Sequence, residues 1–477
     1  MKITSTAKLP SKIQTLILPF QKGAIDARKI ANFSGIGNEI DFEGNFKEMV
    51  VLYHSSNNLK IYLLGLGAEK DAPKAADAFR SLAFQQQKSW SKNVVVDLSE
   101  LNVDFTYHAA LGLQLAQYKI GTFKTEQKEV LSFGVKLIHP SKKAKKLARE
   151  GILTGETQSE MIRLVNSPGN EKIPRFIANY AIQSGKKFGF KVKVLGEKEL
   201  LKEGLHAVLA VGKGSQHESV MIKLEYKPKT ASKKTSVLGL VGKGITFDTG
   251  GLSIKGSMNM HYMKSDMGGA AAIIGAIELA AKLELPIHVI GIVPSAENAV
   301  DERSVKPGDV IPSYSGKTIE IIDTDAEGRL ILADGLAYIQ KNYDPDIVLD
   351  LATLTGSTVR TFGYETAGLF TKNEALAADL MAVGQATHER LWPLPMWDEY
   401  GADLHSDIAD VKNFSGKPLA GAIFAGKFLE FFIKDHPKWA HLDIAGVAFG
   451  SSEYSKMKSA TGYGVRLLVG YMRRLIG

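Results

Sequence analysis

Cysteine is absent from the 477 residues of this chain, and long apolar runs are absent as well. The lack of cysteine excludes disulfide bonds, thiolate nucleophiles and cysteine-ligated metals, and it agrees with a cytoplasmic protein. No stretch approaches the roughly 18 uninterrupted apolar residues that span a bilayer. Pro10, Lys12 and Gln14 interrupt the apolar stretch near the start, so we expect no secretory signal. We therefore expect a cytoplasmic protein without a membrane partner.

The residues that are present give an ordinary globular composition with an excess of positive charge. Hydrophobic residues make up 44% and charged residues 23% of a chain that is too long for one core, so we expect at least two domains. The formal net charge of +8 makes nucleic acid a partner to consider. The basic residues are scattered, however, and the one dense cluster, at 142–146, is better explained as a solvated helix face or linker. Nucleic-acid binding stays an alternative that is not favoured.

The first 140 residues are typical of a small α/β domain, because short apolar runs alternate with helical patterns. Gly65 and Gly67 follow one predicted strand and resemble half of a dinucleotide-binding fingerprint. The third glycine and the later acidic residue are missing, so we interpret these glycines as a turn that ends the strand. No residue of this domain carries recognisable chemistry. Predicted strands lie at 16–18, 50–53, 61–64 and 94–96, and predicted helices lie at 71–89 and 106–118.

A helical segment at 141–165 links this domain to the rest of the chain and ends at the helix-breaking residues 166–170, Asn-Ser-Pro-Gly-Asn. From 166 to 477, strand-like and helical patterns alternate. Such alternation predicts a larger α/β domain with a mixed, mostly parallel sheet that is covered by helices. In such sheets a ligand binds at the carboxyl ends of the strands. Predicted strands lie at 192–194, 207–210, 237–241, 287–292 and 347–349, and predicted helices lie at 268–283, 328–341 and 422–433.

A β-branched run of strand character at 319–322, Ile-Glu-Ile-Ile, is followed by three acidic residues at alternate positions, Asp323, Asp325 and Glu327. Three like charges at one strand end are costly unless a cation neutralises them. One or two metal ions are the simplest such cation. Arg329 follows two residues later, and its ordinary alternative is an ion pair with Asp323 or Asp325.

Two other predicted strand ends carry polar residues of the same kind. Lys243, Asp248 and Lys255 lie in a glycine-rich stretch at 241–255, where glycine lets the backbone turn tightly and approach a ligand. Asp266 stands just before a helix of small residues, and its ordinary alternative is to cap that helix. Carboxylates without neighbouring histidine or cysteine favour hard or borderline divalent ions. Together the three stretches predict a carboxylate metal site.

These stretches resemble the signature motifs of the leucyl aminopeptidase family, the M17 metallopeptidases. The motifs are VGKGITFDTGG at 241–251, SIK at 253–255, MKSDMGG at 263–269 and DTDAEGRLILADGLAY at 323–338. The resemblance continues at 351–356, 413–417 and 439–445, and it covers the chain from about 160 onward. The amino-terminal domain resembles the family only in size and α/β character. The resemblance implies a catalytic domain from 166 to 477 and a homohexamer.

The resemblance also implies two divalent metal ions per subunit, Zn²⁺ or Mn²⁺, with Co²⁺ and Mg²⁺ also compatible. Lys243, Asp248, Asp266 and Glu327 would hold one ion, and Asp248, Asp325 and Glu327 would hold the other. Bridging carboxylates offset the repulsion between two ions only about 3.5–4 Å apart. Lys243 is a ligand only as the neutral amine, since two adjacent cations lower its pKa. A water between the ions would attack the scissile carbonyl.

Further roles follow from the same resemblance. Lys255 would stabilise the developing oxyanion, and Arg329 would hold a bicarbonate that assists proton transfer. Met263 would form a wall of the pocket for the N-terminal side chain, although an ordinary core methionine fits its position equally well. The residues that would line the path of the peptide are Thr353, Leu354, Thr355 and Gly356.

Two positions depart from the family pattern. Asp323 stands where the family usually has asparagine, and Tyr463-Gly464 stand where many members have Arg-Pro. An ionised aspartate only accepts hydrogen bonds and adds a negative charge beside the predicted ligands. We therefore place Asp323 in the surroundings of the ligands and expect it to tighten metal binding or shift the pH optimum without abolishing activity. The sequence offers no physical account of the second departure.

Three aromatic residues outside these motifs receive structural interpretations. His441 lies in an apolar, strand-like run and is predicted to be a core residue with satisfied hydrogen bonds. Trp392 and Trp397 are predicted to pack rather than to recognise a ligand.

The leading hypothesis is a cytoplasmic two-metal aminopeptidase that releases N-terminal amino acids, preferably Leu and other apolar residues, from peptides. One alternative is a basic nucleic-acid-binding protein that retains the metal site. A second alternative is a metal-dependent phosphoesterase, because two-metal carboxylate sites also serve phosphoryl transfer. The predicted lysine ligand and the absence of histidine ligands argue against the phosphoesterase.

Overall fold

A computed structural model describes residues 1–35, 40–54, 58–126, 133–228, 236–433 and 436–477. The chain divides into two compact units, Met1–Ser159 and Glu160–Gly477. Each unit is built from strands and helices, as the sequence predicts. Among the described residues, no helix has both the length and the apolarity needed to cross a membrane.

The first unit contains a six-stranded sheet in the order β1-β6-β5-β2-β4-β3. All its neighbouring strands are parallel except β3 and β4, which run antiparallel. The strands are β1 (Lys2–Thr6), β2 (Thr15–Phe20), β3 (Met49–Tyr53), β4 (Lys60–Gly65), β5 (Asn93–Asp97) and β6 (Gly134–Ile138). The helices are α1 (Ala27–Ser34), α2 (Ala75–Gln86), α3 (Phe105–Leu115) and α4 (Ala144–Asn166), with 3₁₀ turns at Glu69–Lys74 and Gln87–Ser89. The last residues of α4, from 160 to 166, belong to the second unit.

The sequence-based predictions for this unit are confirmed element by element. The four predicted strands lie within β2, β3, β4 and β5, and the two predicted helices correspond to α2 with its flanking 3₁₀ turns and to α3. Gly65 ends β4 and Gly67 has a φ of +76°, which is the expected strand-ending turn. The four lysines of the 142–146 cluster are exposed in the turn before α4 and in its first turn, so this cluster is solvated, as predicted for a helix face or linker.

The second unit contains a nine-stranded sheet in the order β16-β15-β18-β14-β9-β11-β8-β7, with β10 paired to β11. Five of its strand pairs are parallel and three are antiparallel, so the sheet is mixed and mostly parallel. Its strands are β7 (Lys191–Leu195), β8 (Val220–Tyr226), β9 (Val237–Gly242), β10 (Gly244–Asp248), β11 (His288–Asn298), β14 (Ile347–Ala352), β15 (Ala367–Phe370), β16 (Leu391–Pro393) and β18 (Trp439–Asp443).

Shorter strands and nine α-helices complete the described part of the second unit. The short strands are β12 (Val310–Pro312), β13 (Thr318–Glu320), β17 (Val411–Lys412), β19 (Phe449–Gly450) and β20 (Ser459–Ala460). The helices are α5 (Pro174–Phe188), α6 (Glu197–Glu203), α7 (His206–Gly212), α8 (Gly268–Lys282), α9 (Glu327–Tyr343), α10 (Gly356–Phe362), α11 (Glu374–Thr387), α12 (Gly421–Ile433) and α13 (Val465–Ile476). Two 3₁₀ helices lie at Met260–Ser265 and Asp398–Leu404.

Helices cover both faces of the central strands. Val241 of β9 belongs to an apolar core with Leu336 of α9 and Phe428 of α12. The next residue, Gly242, points the other way, where a Cβ would lie 2.7 Å from Ile273 Cγ1 of α8. A glycine at this position therefore lets α8 lie directly on the sheet. This arrangement leaves the carboxyl ends of β9, β10 and β14 as the edge at which the polar stretches meet.

The predicted strand at 207–210 is wrong, because these residues belong to helix α7. Oδ2 of Asp334, on α9, accepts hydrogen bonds from the backbone N–H groups of Ala207 and Val208 at 2.9 and 3.1 Å. A side-chain carboxylate thus satisfies two donors that the first turn of a helix leaves unpaired. Asp334 lies more than 120 residues away in the sequence, and a four-residue apolar run by itself fits a strand as well as a buried helix.

The three aromatic predictions have different outcomes. His441 is a core residue on β18, and its Nδ1 lies 2.6 Å from Asp350 Oδ1. Its Nε2 has no hydrogen-bond partner among the described residues, so it is only half satisfied. The prediction that Trp392 and Trp397 pack against the protein is wrong, because most of the surface of both side chains is exposed. Trp392 lies on the edge strand β16, and the Trp397 ring stacks on Tyr400.

Candidate metal centre

The predicted metal ligands meet at the carboxyl edge of the second sheet. Lys243 occupies the junction between β9 and β10, and Asp248 ends β10. Asp266 immediately follows the 3₁₀ helix Met260–Ser265, and Glu327 begins α9. Asp325 lies in the turn just before α9. The structure thus brings together side chains from three separate stretches of sequence.

Two lysines hold the four carboxylates in ion pairs. Lys243 Nζ lies 2.8 Å from both Asp266 Oδ2 and Glu327 Oε1. Lys255 Nζ lies 2.8 Å from Asp248 Oδ2 and also contacts Asp325 Oδ1. Oxygen atoms of Asp248, Asp325 and Glu327 all lie within 4.8 Å of one another.

Burial differs across the cluster. The side chains of Lys243 and Glu327 are 3% and 2% exposed, whereas those of Lys255 and Asp325 are 24% and 32% exposed. The cluster is therefore closed on the side of Lys243 and open to solvent on the side of Lys255.

The pKa values of the cluster reflect burial and crowding. Burial alone lowers the pKa of Lys243, but the carboxylates of Asp266, Glu327 and Asp248 outweigh it and raise that pKa above its ordinary value. Burial, together with the charge of Asp248, raises the pKa of Asp325 to about 7. The pKa values of Asp266 and Glu327 are raised as well, mainly by burial. The cluster thus holds negative charge that its two lysines only partly offset.

The residues fit a divalent cation. When all four carboxylates are ionised, they exceed the two ammonium groups by two negative charges, which a divalent cation would neutralise. Asp266 Oδ2, Asp325 Oδ1 and Glu327 Oε1 are buried. Each lies in an ion pair with a lysine ammonium, but none accepts a hydrogen bond from a described residue. Buried carboxylate oxygens with free lone pairs, converging from different segments, form a donor set that divalent metal ions prefer.

Backbone features keep the cluster tight. A Cβ on Gly328 would lie 2.4 Å from Lys243 Cε, so only glycine at this position lets the lysine lie across the start of α9. The carbonyl of Thr353 accepts a hydrogen bond from Lys243 Nζ at 3.0 Å, and the Thr353 hydroxyl donates to Asp266 Oδ1 at 2.7 Å. Asn298 Nδ2 donates to Asp248 Oδ1 at 2.8 Å. Sequence reasoning missed Asn298, which lies on β11 with no recognisable motif around it.

Asp323 acts within the turn that carries Asp325. Its Oδ1 accepts a hydrogen bond from the backbone N–H of Asp325 at 2.8 Å. Asn413 ties the same turn down, because its Oδ1 accepts from Ile322 N at 2.8 Å and its Nδ2 donates to the Asp323 carbonyl at 2.6 Å. The hydrogen bond made by the Asp323 side chain needs only an acceptor, which an asparagine carbonyl would also supply.

Arg329 lies buried behind this turn. One of its terminal nitrogens donates to the Asn413 carbonyl at 2.7 Å, whereas its Nε has no hydrogen-bond partner among the described residues. Burial, opposed by the charge of Glu327 and other carboxylates, lowers its pKa to about 10. The guanidinium therefore stays charged at neutral pH and keeps one donor free, which fits a small anion.

The predicted peptide-path residues form one loop that a buried aspartate organises. Asp443 Oδ1 accepts from the backbone N–H of Leu354 at 3.1 Å, and Asp443 Oδ2 accepts from the Thr355 hydroxyl at 2.7 Å. Thr355 caps α10, which begins at Gly356. Asp443 lies in the motif at 439–445 without a role predicted from the sequence, and its place at the end of the strand-like run around His441 is the signal that points to it. Met263 lies half-buried in the 3₁₀ helix Met260–Ser265.

Comparison with known domain families matches most of the chain. The family model described as the cytosol aminopeptidase family, catalytic domain, matches residues 161–469. The model of the N-terminal domain of the same family matches residues 22–127. The amino-terminal resemblance is therefore closer than size and α/β character alone.

Relatives cover the chain almost from end to end. A probable cytosol aminopeptidase of Chlorobium limicola is 40% identical over 509 residues, covering 99% of this chain and 100% of the relative. The cytosol aminopeptidase of Rickettsia prowazekii is 38% identical over 455 residues, covering 92% of this chain and 90% of the relative. A solved structure of the bottromycin maturation enzyme BotP in complex with Mn has a TM-score of 0.85 and 29% identity, covering 98% of this chain and 100% of that one. The chain therefore belongs to the cytosol aminopeptidase family, a family of hydrolases.

Proposed function

We propose that this peptidase uses two divalent metal ions to release N-terminal amino acids from peptides, with a preference for Leu and other apolar residues. The observation that carries the proposal is the cluster of four carboxylates and two lysines at the carboxyl edge of the sheet. Its free carboxylate oxygens, in a chain of the cytosol aminopeptidase family, support a metal-dependent reaction.

Lys243, Asp248, Asp266 and Glu327 would hold one ion, and Asp248, Asp325 and Glu327 would hold the other. The mutual proximity of three of these carboxylates supports a shared site. Manganese in the solved structure of the similar BotP enzyme supports Mn²⁺, and the donor set is also compatible with Zn²⁺, Co²⁺ and Mg²⁺. The ions would supply Lewis-acid chemistry, because they polarise a carbonyl and favour the ionisation of water near neutral pH.

The two lysines would have different tasks. Lys243 has to give up a proton from Nζ before that atom can bind a metal, and the carbonyl of Thr353 then remains in place as a hydrogen-bond acceptor for Nζ. Lys255 lies on the open side and would stay an ammonium, because neighbouring Asp248 and Asp325 raise its pKa against the opposing effect of burial. Its charge would stabilise the negative charge that develops on the carbonyl oxygen of the substrate.

The remaining parts of the proposal concern the surroundings of the reaction. The free Nε donor of Arg329 would hold a bicarbonate. Met263 would form one wall of the pocket for the N-terminal side chain, and the peptide would follow the loop of Thr353, Leu354, Thr355 and Gly356. The similar proteins are named cytosol aminopeptidases, which supports a cytoplasmic location. A homohexamer is proposed from family resemblance.

Hydrolysis of Leu-p-nitroanilide tests this function. Protein stripped with a chelator is supplied in turn with Zn²⁺, Mn²⁺, Co²⁺ or Mg²⁺, and elemental analysis counts the ions bound per chain. We expect turnover only with metal and a stoichiometry of two. Acetyl-Leu-p-nitroanilide is the control and should resist cleavage, because its amino group is blocked. Absence of turnover with every ion would overturn the proposal. Native mass spectrometry would test the hexamer separately.

A further inference from the structure

A lysine outside the metal centre is fully buried, and its ammonium donates hydrogen bonds to backbone carbonyls. Lys172 has an exposed fraction of 0% and lies two residues before α5. Its Nζ donates to the Val165 carbonyl at 2.6 Å and to the Lys264 carbonyl at 2.5 Å. Lys264 Nζ in turn donates to the Asn166 carbonyl at 3.2 Å. The two ammonium groups thus link the same two segments in both directions.

The three acceptors lie at the carboxyl ends of two helices. Val165 and Asn166 are the last residues of α4, and Lys264 is the penultimate residue of the 3₁₀ helix Met260–Ser265. Carbonyls at a helix end lack partners inside the helix and carry partial negative charge, which favours a nearby cation. Lys172 and Lys264 therefore cap two helix ends at once and join them.

Burying a lysine ammonium here costs free energy that the packing of the core does not require. No carboxylate lies within ion-pair distance of Lys172 or Lys264 in the part of the chain that the structure describes. Burial, together with the charge of Lys264, lowers the pKa of Lys172 to about 7. Methionine would fill a similar volume without burying a charge, so space filling does not require a lysine here.

The 3₁₀ helix is a segment that needs such support. It has six residues, and the four residues before it, 256–259, are all exposed. Its hydrogen bonds are of the weaker 3₁₀ type, and Asn259 at its start has a φ of +67°. The Asp266 carboxylate is also held from outside the helix, by the Thr353 hydroxyl and the Lys243 ammonium, whereas the thioether side chain of Met263 has no charged or hydroxyl group through which it could be anchored in this way. A loosened helix would therefore displace Met263 more than Asp266.

We propose that Lys172 and Lys264 form a clamp that positions the 3₁₀ helix Met260–Ser265 and thereby sets the affinity for apolar N-terminal residues. The clamp acts through Met263 and touches no reacting atom, so both lysines are positioning residues. The effect on affinity rests on the proposed function, because it assumes that Met263 lines the pocket for the N-terminal side chain.

The main experiment compares wild type with Lys172→Met in two measurements. We expect KM for Leu-p-nitroanilide to rise roughly five- to tenfold with kcat changed less than about twofold, the scale of losing a buried hydrogen bond. KM for Ala-p-nitroanilide should rise less, because the shorter side chain reaches the wall less. Hydrogen exchange, measured without substrate, should become faster in the peptide that spans 256–266.

Lys427→Met is the matched control. Lys427 is also a buried lysine, at 7% exposure, but its ammonium pairs with Asp398 and Glu430, which lie outside the centre. This variant should lower the melting temperature without changing the ratio of the Leu and Ala KM values or the exchange at 256–266. If Lys172→Met behaved in the same way, the clamp would be refuted and Lys172 would have a purely structural role.

Lys264→Met decides the question if Lys172→Met does not fold. It keeps the Lys264 carbonyl and removes only the bond to Asn166, so exchange at 256–266 should rise by a smaller amount. Unchanged exchange would overturn the clamp. Failure of the proposed function is recognised separately, because wild type would then hydrolyse neither substrate with any ion while the exchange comparison still gives its answer.

Discussion

Lysines in two regions of the second unit have opposite electrostatic surroundings. Lys243 and Lys255 each contact two carboxylates, which raise their pKa values against the effect of burial. The Lys172 ammonium instead donates to two backbone carbonyls and lies near Lys264, and its pKa is lowered. The comparison teaches that burial lowers the pKa of each of these lysines and that carboxylate partners reverse this effect. Carboxylates create a place for cations, whereas carbonyls hold an ammonium in one position.

The largest effect should come from removing a carboxylate that Lys243 contacts. Glu327→Ala removes an oxygen donor common to both proposed ion positions, so we expect ion binding at both to be lost. Activity should fall by about three orders of magnitude or more, as when one member of a cooperating catalytic group is removed. Elemental analysis after dialysis, together with Leu-p-nitroanilide hydrolysis, measures both. Two ions retained per chain would contradict the assignment.

The next effect concerns the lysine on the open side. Lys255→Ala should keep both ions and lower kcat by roughly 10²–10³, the usual cost of losing one group that stabilises an oxyanion. The ion count separates this outcome from that of Glu327→Ala. A Lys255→Ala protein that lost its metal would show that Lys255 serves the architecture of the centre instead.

A smaller effect is expected in the pH dependence of stability. Folding lowers the pKa of Lys172, whereas it raises the pKa values of Lys243 and Lys255. The pKa of Lys172 is about 7 in the folded chain, against an ordinary value of 10.5 for the unfolded chain. Between these values the unfolded chain binds the extra proton, so folding becomes more favourable as pH rises, by up to about 1.4 kcal/mol per pH unit. Lys264 is the charged neighbour that contributes to this shift.

Thermal unfolding of wild type and Lys172→Met between pH 6 and 9.5 measures this contribution. The stability of wild type relative to the variant should be nearly constant below pH 7 and should increase above it. A difference that is independent of pH across the whole range would show that Lys172 titrates as an ordinary lysine.

The smallest effect should follow Asp323→Asn, which restores the residue usual in the family. The asparagine carbonyl can accept the hydrogen bond from Asp325 N, so the turn should persist and activity should remain. Loss of one negative charge should weaken metal binding by roughly tenfold or shift the pH–rate profile. Metal titration and a pH–rate profile with saturating metal test this, and no change in either would remove any electrostatic role for Asp323.

Features that depend on neighbouring residues could be predicted from the sequence, and features that depend on contacts between residues far apart in the sequence could not. Strands and helices with a clear local pattern, such as β4 and α8, were predicted nearly to their ends. The cluster of carboxylates was predictable because strand ends in such sheets share one edge. The stretch 207–210 was not predictable, since its helical state depends on Asp334 of a distant helix.

Other features escaped prediction for the same reason. The Lys172 clamp joins residues 92 positions apart, and nothing in the local sequence signals it. The departure at Tyr463 now has a physical account, because the Tyr463 hydroxyl donates to the Arg390 carbonyl at 2.8 Å and the residue is buried. Gly464 follows with a φ of +99°, and its N–H donates to Glu389 Oε2 at 3.0 Å. These two residues therefore fasten the start of α13.

The unequal exposure of the centre has a consequence for the design of inhibitors. Because Asp325 and Lys255 border solvent while Lys243 and Glu327 are sealed, a compound has to approach the carboxylates from the Lys255 side. A substituent that extends past the Lys255 ammonium would leave toward solvent and could carry a dye or an affinity tag. A substituent directed at Lys243 would instead meet closely packed protein.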